Sequence, residues 1–388
     1  MYNEGVLNSA TIEGMLAAPG IKWHRDPPDV IGMWLADPDF PTAPFIKKAL
    51  INAVQDEDLL YGSDVKAREA MADRVNRKNG FKLTKDDIYV TQGVIPAMWL
   101  AIQNSGAKPG DEVVVNDPMY YPFFTAVETC HMKPAFWKLH EEGGYKFDIE
   151  ELKKVVNKKT KLIFVCNPHN PTGRVMTKEE LEGIADVAVD HKINVMVDEL
   201  WDDIVFDDRK HVSLATLSPE IADLTITSWG ISKTWGLPGL QCGYMGVTNK
   251  AMLANCQKLA KGVLRGTTTL SLAAAQSALD RHSDYWIRDV MKQLHKVRGI
   301  ATKRFTEMGC TVPELQGTYL MFPKFKAKMT HEELAKLMQE KAKVGLGTGT
   351  EFGPEGEMHM RMTIATSESI LNEALDRIEK ALKTAKKK

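Results

Sequence analysis

Three short stretches, far apart in the chain, each carry one chemically demanding group: Asn170 in Asn170-Pro171-Thr172-Gly173, Asp198 at the end of an apolar run, and Lys233 in Ser232-Lys233-Thr234-Trp235-Gly236. A primary amine forms an imine with an aldehyde, and a buried carboxylate can keep a pyridine nitrogen protonated and so make that ring an electron sink. Taken singly, each has a plainer explanation: a lysine before a turn, or an Asp that caps a strand or holds a salt bridge. Asn170 and Asp198, however, each follow a strand-like run in an α/β alternation, and open sheets bind ligands at the carboxyl ends of their strands. In that order the three residues point to pyridoxal phosphate chemistry.

The elements that must position them are legible as an alternation. Short apolar, β-branched runs at Ile88–Thr91, Glu112–Val115, Leu162–Cys166, Val195–Val197, Thr225–Thr227 and Gly243–Val247 are bounded by turn residues and separated by helical stretches, which predicts a mostly parallel sheet. Pro109-Gly110-Asp111 marks a sharp turn after a helix starting near Val94, whose first turn tolerates Pro96 because it needs no internal NH donor. Asp284 to Met308 reads as one long helix with Trp286, Val290, Leu294, Val297 and Ala301 on a face, and the domain junction is expected along it. A last amphipathic helix, capped by Ser367 or Ser369, turns Ile370, Leu371, Ala374, Leu375, Ile378 and Leu382 inward. With 388 residues, the chain is long enough for two packed domains. The expected division is an N-terminal arm with part of the small domain (1–45), a large cofactor-binding domain (46–285) and a C-terminal small domain (286–388).

The charge balance, 50 Lys and Arg against 51 Asp and Glu, gives a net charge of -1, and the basic run Lys386-Lys387-Lys388 stands alone. No footprint for nucleic acid or an anionic membrane follows, and small-molecule chemistry is the expected class. Five cysteines without a CxxC pair (Cys130, Cys166, Cys242, Cys256, Cys310) suit a reducing cytoplasm better than a disulfide framework or a zinc knuckle, and no metal constellation emerges. Met1 to Gly20 lacks a basic region followed by an apolar segment, and no apolar run approaches a membrane span, so a soluble, unprocessed chain is expected.

Two further strings fit a cofactor. Thr91-Gln92-Gly93-Val94-Ile95 follows a strand and opens a helix, so the amides of Val94 and Ile95 could face a phosphate, although a plain strand-to-helix turn needs no ligand. Asp117-Pro118-Met119-Tyr120 follows the next strand and could bring the Tyr120 ring over a pyridine face; Tyr120 would serve equally well as core.

These residues resemble the fold-type I pyridoxal phosphate enzymes, specifically the class I/II aminotransferases, over nearly the whole chain. The wording is similar to the branch containing cystathionine-type carbon-sulfur β-lyases through Ala36-Asp37-Pro38-Asp39-Phe40, Gly93-Val94-Ile95-Pro96-Ala97 and Asn167-Pro168-His169-Asn170-Pro171-Thr172-Gly173. The resemblance implies a large domain with a mostly parallel seven-stranded sheet flanked by helices, plus a smaller α+β domain. It further implies that Lys233 forms the internal imine, Asp198 pairs with the pyridine nitrogen, Asn170 bonds the 3-oxygen and Tyr120 stacks on the ring. Arg361, in His359-Met360-Arg361-Met362, matches the arginine that clamps the substrate α-carboxylate, a task suited to a planar, two-pronged cation. Substrate contacts are expected from Arg361, Asn170 and Ala36. Tyr61 matches the tyrosine that reaches the cofactor phosphate of the neighbouring subunit, which implies a homodimer with a shared active site.

The chain departs from the family pattern at three places. Gln241 stands where most members have a phosphate-binding Arg; it can donate a hydrogen bond but brings no charge. Gly230 replaces a common phosphate-binding Ser, leaving Ser228, Ser232 or the backbone to do that work, with the Gly93, Val94 and Ile95 amides as further donors. Trp201 stands where many aminotransferases have a Tyr bonding the 3-oxygen, and an indole is a donor only. The implied activity is an aminotransferase moving an amino group between an L-amino acid and a 2-oxo acid, with Lys233 carrying the imine and then acting as base at the substrate Cα. Its amine is accordingly expected well below the pKa of a free lysine. The alternatives are a carbon-sulfur β-lyase acting on cystathionine-like amino acids and a non-catalytic member of the fold. Asp37, His169 and Trp201 are candidate neighbours of the substrate side chain, His169 more naturally a structural histidine.

Overall fold

The protein is described by a computed structural model covering residues 4–264 and 266–385; the Lys386–Lys388 tail and the first three residues of the Met1–Gly20 segment lie outside the described residues. The apolar runs form one seven-stranded sheet: β1 Ile88–Thr91, β2 Glu112–Asp117, β3 Lys133–Lys138, β4 Thr160–Cys166, β5 Asn194–Asp198, β6 Thr225–Gly230 and β7 Gly243–Gly246. Their order across the sheet is β1-β7-β6-β5-β4-β2-β3. β7 runs antiparallel to β1 and β6, and every other pairing is parallel.

Strand side chains alternate between faces, and each face is covered by helix, as parallel sheets require. Leu162, Phe164 and Cys166 of β4 share one core with Val94, Ala97, Met98 and Ala101 of the helix Val94–Asn104. Ile163 and Val165 pack on the other side with Leu181, Ile184 and Ala188 of the helix Lys178–His191. The register sets Cys166 level with Asp198 and Asp198 level with Ser228, so the ends of β4 and β5 meet at one line beside Ser228 of β6.

β3 is the strand that the pattern of apolar runs missed. It lies at the sheet edge, contains Pro134, and only Trp137 within it is buried, so it shows neither a continuous apolar run nor a clean alternation. β2, β5 and β6 also extend beyond their expected ends, to Asp117, Asp198 and Gly230.

The helix Asp284–Glu307 buries Trp286, Val290, Leu294, Val297 and Ala301 and leads to a second region. There Gly347–Thr348, Met360–Thr363 and Leu320–Met321 form a three-stranded antiparallel sheet, with Met360–Thr363 in the centre. The N-terminal segment joins this region, since Ile31–Gly32 pairs in parallel with Val344–Gly345. The final helix, Glu368–Ala385, buries the six residues expected of it, and Ser367 Oγ accepts the amide of Ile370 at 3.3 Å. Among the described residues no helix is long and apolar enough to cross a membrane.

Candidate active site

Three independent pieces of backbone converge above the carboxyl ends of the central strands. β5 ends on Asp198, the turn after β6 carries Lys233, and the central strand of the small sheet carries Arg361. With Ala36, Tyr120, Asn170 and Trp201 they line one cavity of about 430 Å³.

Lys233 Nζ donates to the carbonyl of Ala36 at 2.8 Å and lies 5.8 Å from the centre of the Trp201 ring. Burial disfavours its charged form, Asp37 opposes that, Arg361 reinforces it and Asp198 opposes it; the balance brings the amine down to about 8. The same Ala36 carbonyl accepts the Tyr319 hydroxyl at 3.1 Å, and the Tyr319 ring stands edge-on to Trp201 at 4.7 Å. Lysine and phenol thus share a single backbone oxygen, with the indole edge-on to the phenol.

Asp198 is buried, and its Oδ1 accepts the Leu200 amide at 2.9 Å, whereas among the described residues Oδ2 has only the Cys166 thiol at 4.0 Å. Burial pushes this carboxyl up to about 7, against the Leu200 amide and Lys233, and with Glu199 and Asp202 adding to the rise. A buried carboxylate lacking a strong donor on one oxygen is an incomplete site. A protonated ring nitrogen would complete it, and in this respect the residues fit a pyridine cofactor.

Arg361 is also buried. Its Nη1 donates to Asn170 Oδ1 at 3.1 Å and its Nη2 to the Trp34 carbonyl at 2.9 Å, while the guanidinium lies 4.6 Å from the Phe352 ring centre. Nε has no partner among the described residues, and burial lowers the pKa of the group. The unpaired NH of a buried cation suits a carboxylate ligand. Tyr120 leans on Tyr121 with ring centres 5.1 Å apart, and burial pushes its phenol up to about 12, so it remains protonated at neutral pH.

The residues expected at a cofactor phosphate are placed differently. Gly93, Val94, Ile95, Ser228, Ser232 and Gln241 do not border this cavity. Gly93 has φ +102° and opens the helix Val94–Asn104, with Val94 buried and Ile95 exposed. Ser228 is fully buried, with its hydroxyl directed to the Tyr244 carbonyl at 3.4 Å, and Gln241 is exposed. Tyr61 is fully exposed, next to exposed Leu59 and Leu60.

Of the three candidate neighbours, Trp201 lines the cavity, whereas Asp37 does not and bears on it through its charge, which acts on Lys233 and Tyr319. His169 is buried with Nδ1 against Thr172 Oγ1 at 2.8 Å, and burial lowers it to about 3, which keeps it neutral. Sequence reasoning missed Arg25, Trp34, Tyr121, Gly347 and Glu351, all on the cavity wall. Tyr121 adjoins one quoted string and Trp34 lies two residues before another, so both could have been included. Arg25 and Glu351 carry no local signal.

This geometry can be set beside known proteins. The family described as aminotransferase class I and II matches residues 28–378. The chain belongs to that family. It is 32% identical over 367 residues to an aspartate aminotransferase of Pyrococcus abyssi, covering 92% of this chain and 93% of that one. It is 30% identical over 383 residues to a cystathionine beta-lyase of Bacillus subtilis, covering 95% and 98%. The crystal structure of cystalysin from Treponema denticola, which contains a pyridoxal 5'-phosphate cofactor, superposes with a TM-score of 0.92 at 26% identity, covering 99% of each chain. The fold is accordingly that of the fold-type I enzymes.

Proposed function

We propose that this protein is a pyridoxal 5'-phosphate-dependent aminotransferase acting between an L-amino acid and a 2-oxo acid. The observation that carries the reading is the convergence of Lys233, Asp198, Asn170 and Arg361 on one cavity, in a member of this family. When bound, the cofactor supplies an aldehyde that condenses with primary amines and a ring that draws electrons from the substrate Cα–H bond. Lys233 presents an amine with a lowered proton affinity, suited first to condense and then, once released, to take the Cα proton at Nζ. Asp198 Oδ2 would hold a proton on the ring nitrogen, Asn170 the ring's 3-oxygen, and Tyr120 and Trp201 would cover the ring faces. Arg361 receives the substrate α-carboxylate on its free Nε edge and orients the Cα–H bond.

Exposed Leu59, Leu60 and Tyr61 suit a homodimer in which Tyr61 completes the partner's site, and Gly93, Val94, Ile95, Ser228, Ser232 and Gln241 stay candidates for the phosphate end. The division at 45 and 285 and a cytoplasmic setting belong to the same proposal, the latter supported by five buried free cysteines. A carbon-sulfur β-lyase is the second reading, favoured by the cystathionine beta-lyase relative.

Incubating the pure protein with pyridoxal 5'-phosphate and an amino acid panel, with and without 2-oxoglutarate, tests both. Keto-acid-dependent amino transfer is the expected result. Pyruvate and ammonia released from a thioether amino acid without an acceptor would select the lyase. A protein that stays colourless with the cofactor would overturn both readings.

A further inference from the structure

The string that brings Tyr120 to the cavity begins with a residue that the chemistry above does not use. Asp117 ends β2 and is 1% exposed, and its Oδ1 accepts the Glu355 amide at 3.1 Å. Two residues on, the Met119 amide donates to the Phe352 carbonyl at 2.7 Å. A strand end of the large sheet thus grips one loop of the small region at two points.

That loop and the carboxylate clamp are one piece. It leaves the strand Gly347–Thr348, whose Gly347 stands level with Arg361 across the antiparallel pair, and runs through two short turns, Gly349–Phe352 and Pro354–Gly356. Its ends are pressed together so closely that a Cβ on Gly349 would lie 2.1 Å from the Gly356 carbonyl oxygen, and the Gly349 amide donates to the His359 carbonyl at 3.0 Å. From this loop comes the buried Phe352 ring, whose centre lies 4.6 Å from the Arg361 guanidinium. Gly353 leaves the space into which Asp117 reaches: it has φ +120°, and a Cβ there would come within 2.2 Å of Asp117 Oδ1. Burial raises the Asp117 carboxyl to about 6; the Glu355 amide and Lys138 oppose the rise and the Glu355 charge adds to it, so the group is ionised at pH 8. Lys138, level with Asp117 on β3, pairs with Glu355 at 2.9 Å in a partly solvent-exposed bridge, a kind that contributes little.

We propose that Asp117 is a positioning residue for the substrate α-carboxylate: by holding the 349–356 loop it sets the Phe352 ring against Arg361, and it does so from the segment that places Tyr120. The ring that covers the cofactor and the cation that clamps the substrate are thereby held in one register. This rests on the amino-acid reading above, in which Arg361 receives that carboxylate.

The test uses the holoenzyme at pH 8 and two ligands whose binding is followed by cofactor absorbance: 2-methylalanine, which carries the α-carboxylate but no Cα–H, and isopropylamine, which lacks the carboxylate. Asp117→Ala should weaken 2-methylalanine about tenfold, the scale of one charge-assisted hydrogen bond, and leave isopropylamine within about twofold. Asp117→Asn keeps an acceptor and should recover most of the loss. Gly353→Ala attacks the same contact from the loop and should split the two ligands in the same way, which keeps the comparison intact if Asp117→Ala does not fold. Glu355→Gln keeps the amide and loses only a surface charge, and should bind both ligands as the parent does. Phe352→Leu keeps the backbone carbonyl and removes the ring; combined with Asp117→Ala, its loss should fall short of the product of the two single losses, because both act through one ring. Equal weakening of both ligands, no weakening of either, no recovery in Asp117→Asn, or losses that multiply in the double variant would overturn the positioning role. A parent protein that takes up no cofactor, or that answers isopropylamine but not 2-methylalanine, would instead remove the amino-acid reading underneath.

Discussion

The two ends of the cofactor's expected position are built in different materials. At the chemical end stand side chains: Arg361 donates to Asn170 and to the Trp34 carbonyl, Lys233 donates to the Ala36 carbonyl, and Asp198 accepts the Leu200 amide. At the end expected to hold a phosphate there is backbone: Gly93 at φ +102° starting a helix, Gly243 packed against it so closely that a Cβ would lie 2.7 Å from its atoms, and a neutral Gln241 at the surface. The first arrangement fixes what bonds are made and broken. The second can only hold, through amides and a helix terminus, and with less charge. Chemistry should therefore fail abruptly when the first end is altered, and affinity should change in small steps when the second is.

The largest expected effect is Lys233→Ala, with turnover of any amino donor falling by on the order of 10⁴-fold, the loss of a positioned base and covalent anchor. Cofactor titration followed by absorbance should still show binding. Near-normal turnover in that variant would erase the contrast. A companion measurement uses the cofactor-free protein: its rate of condensation with a simple aldehyde should rise with pH through a midpoint of about 8, since only the neutral amine reacts. A midpoint near the ordinary lysine value would place the amine in water.

Asp198→Asn should reduce turnover by on the order of 10²-fold, by analogy with removing one preorganised polar partner. Its effect on stability has the opposite sign. The folded-state carboxyl is raised to about 7 from an ordinary value of 3.8, so between these values the cofactor-free folded state holds a proton that the unfolded chain has released. Stability conferred by the protonated form is present below pH 4 and is lost as pH rises towards 7. Asn cannot ionise, and the cofactor-free variant should melt higher than the parent at pH 8, with the gap closing near pH 4. Thermal melts at the two pH values check this; a lower melting temperature at pH 8 would mean that Asp198 is well solvated or already paired.

The same contrast explains what was legible in the sequence. Lys233, Asp198 and Asn170 announce themselves because chemically demanding side chains follow strand or turn patterns, whereas Arg361 is reached only through the family resemblance. The Ala36 and Trp34 carbonyls that hold two of them carry no sequence signal, since every residue has a carbonyl. Arg25 and Glu351 were invisible for another reason: they sit more than 300 residues apart, and only the pairing of Ile31–Gly32 with Val344–Gly345 brings their segments together. Central strands were found by their two buried faces, while β3, half-exposed at the edge, was not.

The finest test lies at the backbone-built end. Gly243→Ala drives a methyl towards Gly93 and should shift the helix start, weakening cofactor binding without abolishing turnover at saturating cofactor. Gln241→Arg does the reverse. Gln241 is exposed, so an added guanidinium near a phosphate dianion would act through water and gain on the order of 1 kcal/mol or less, a roughly two- to fivefold tighter Kd that fades with added salt. Absorbance titration at low and high ionic strength reads both effects. An unchanged affinity in Gln241→Arg would put the phosphate elsewhere and leave the amides of Val94 and Ile95 without a ligand to face. A hundredfold gain would mean that this end was limited by missing charge rather than shaped by backbone, and the contrast between the two ends would collapse into a difference of one side chain.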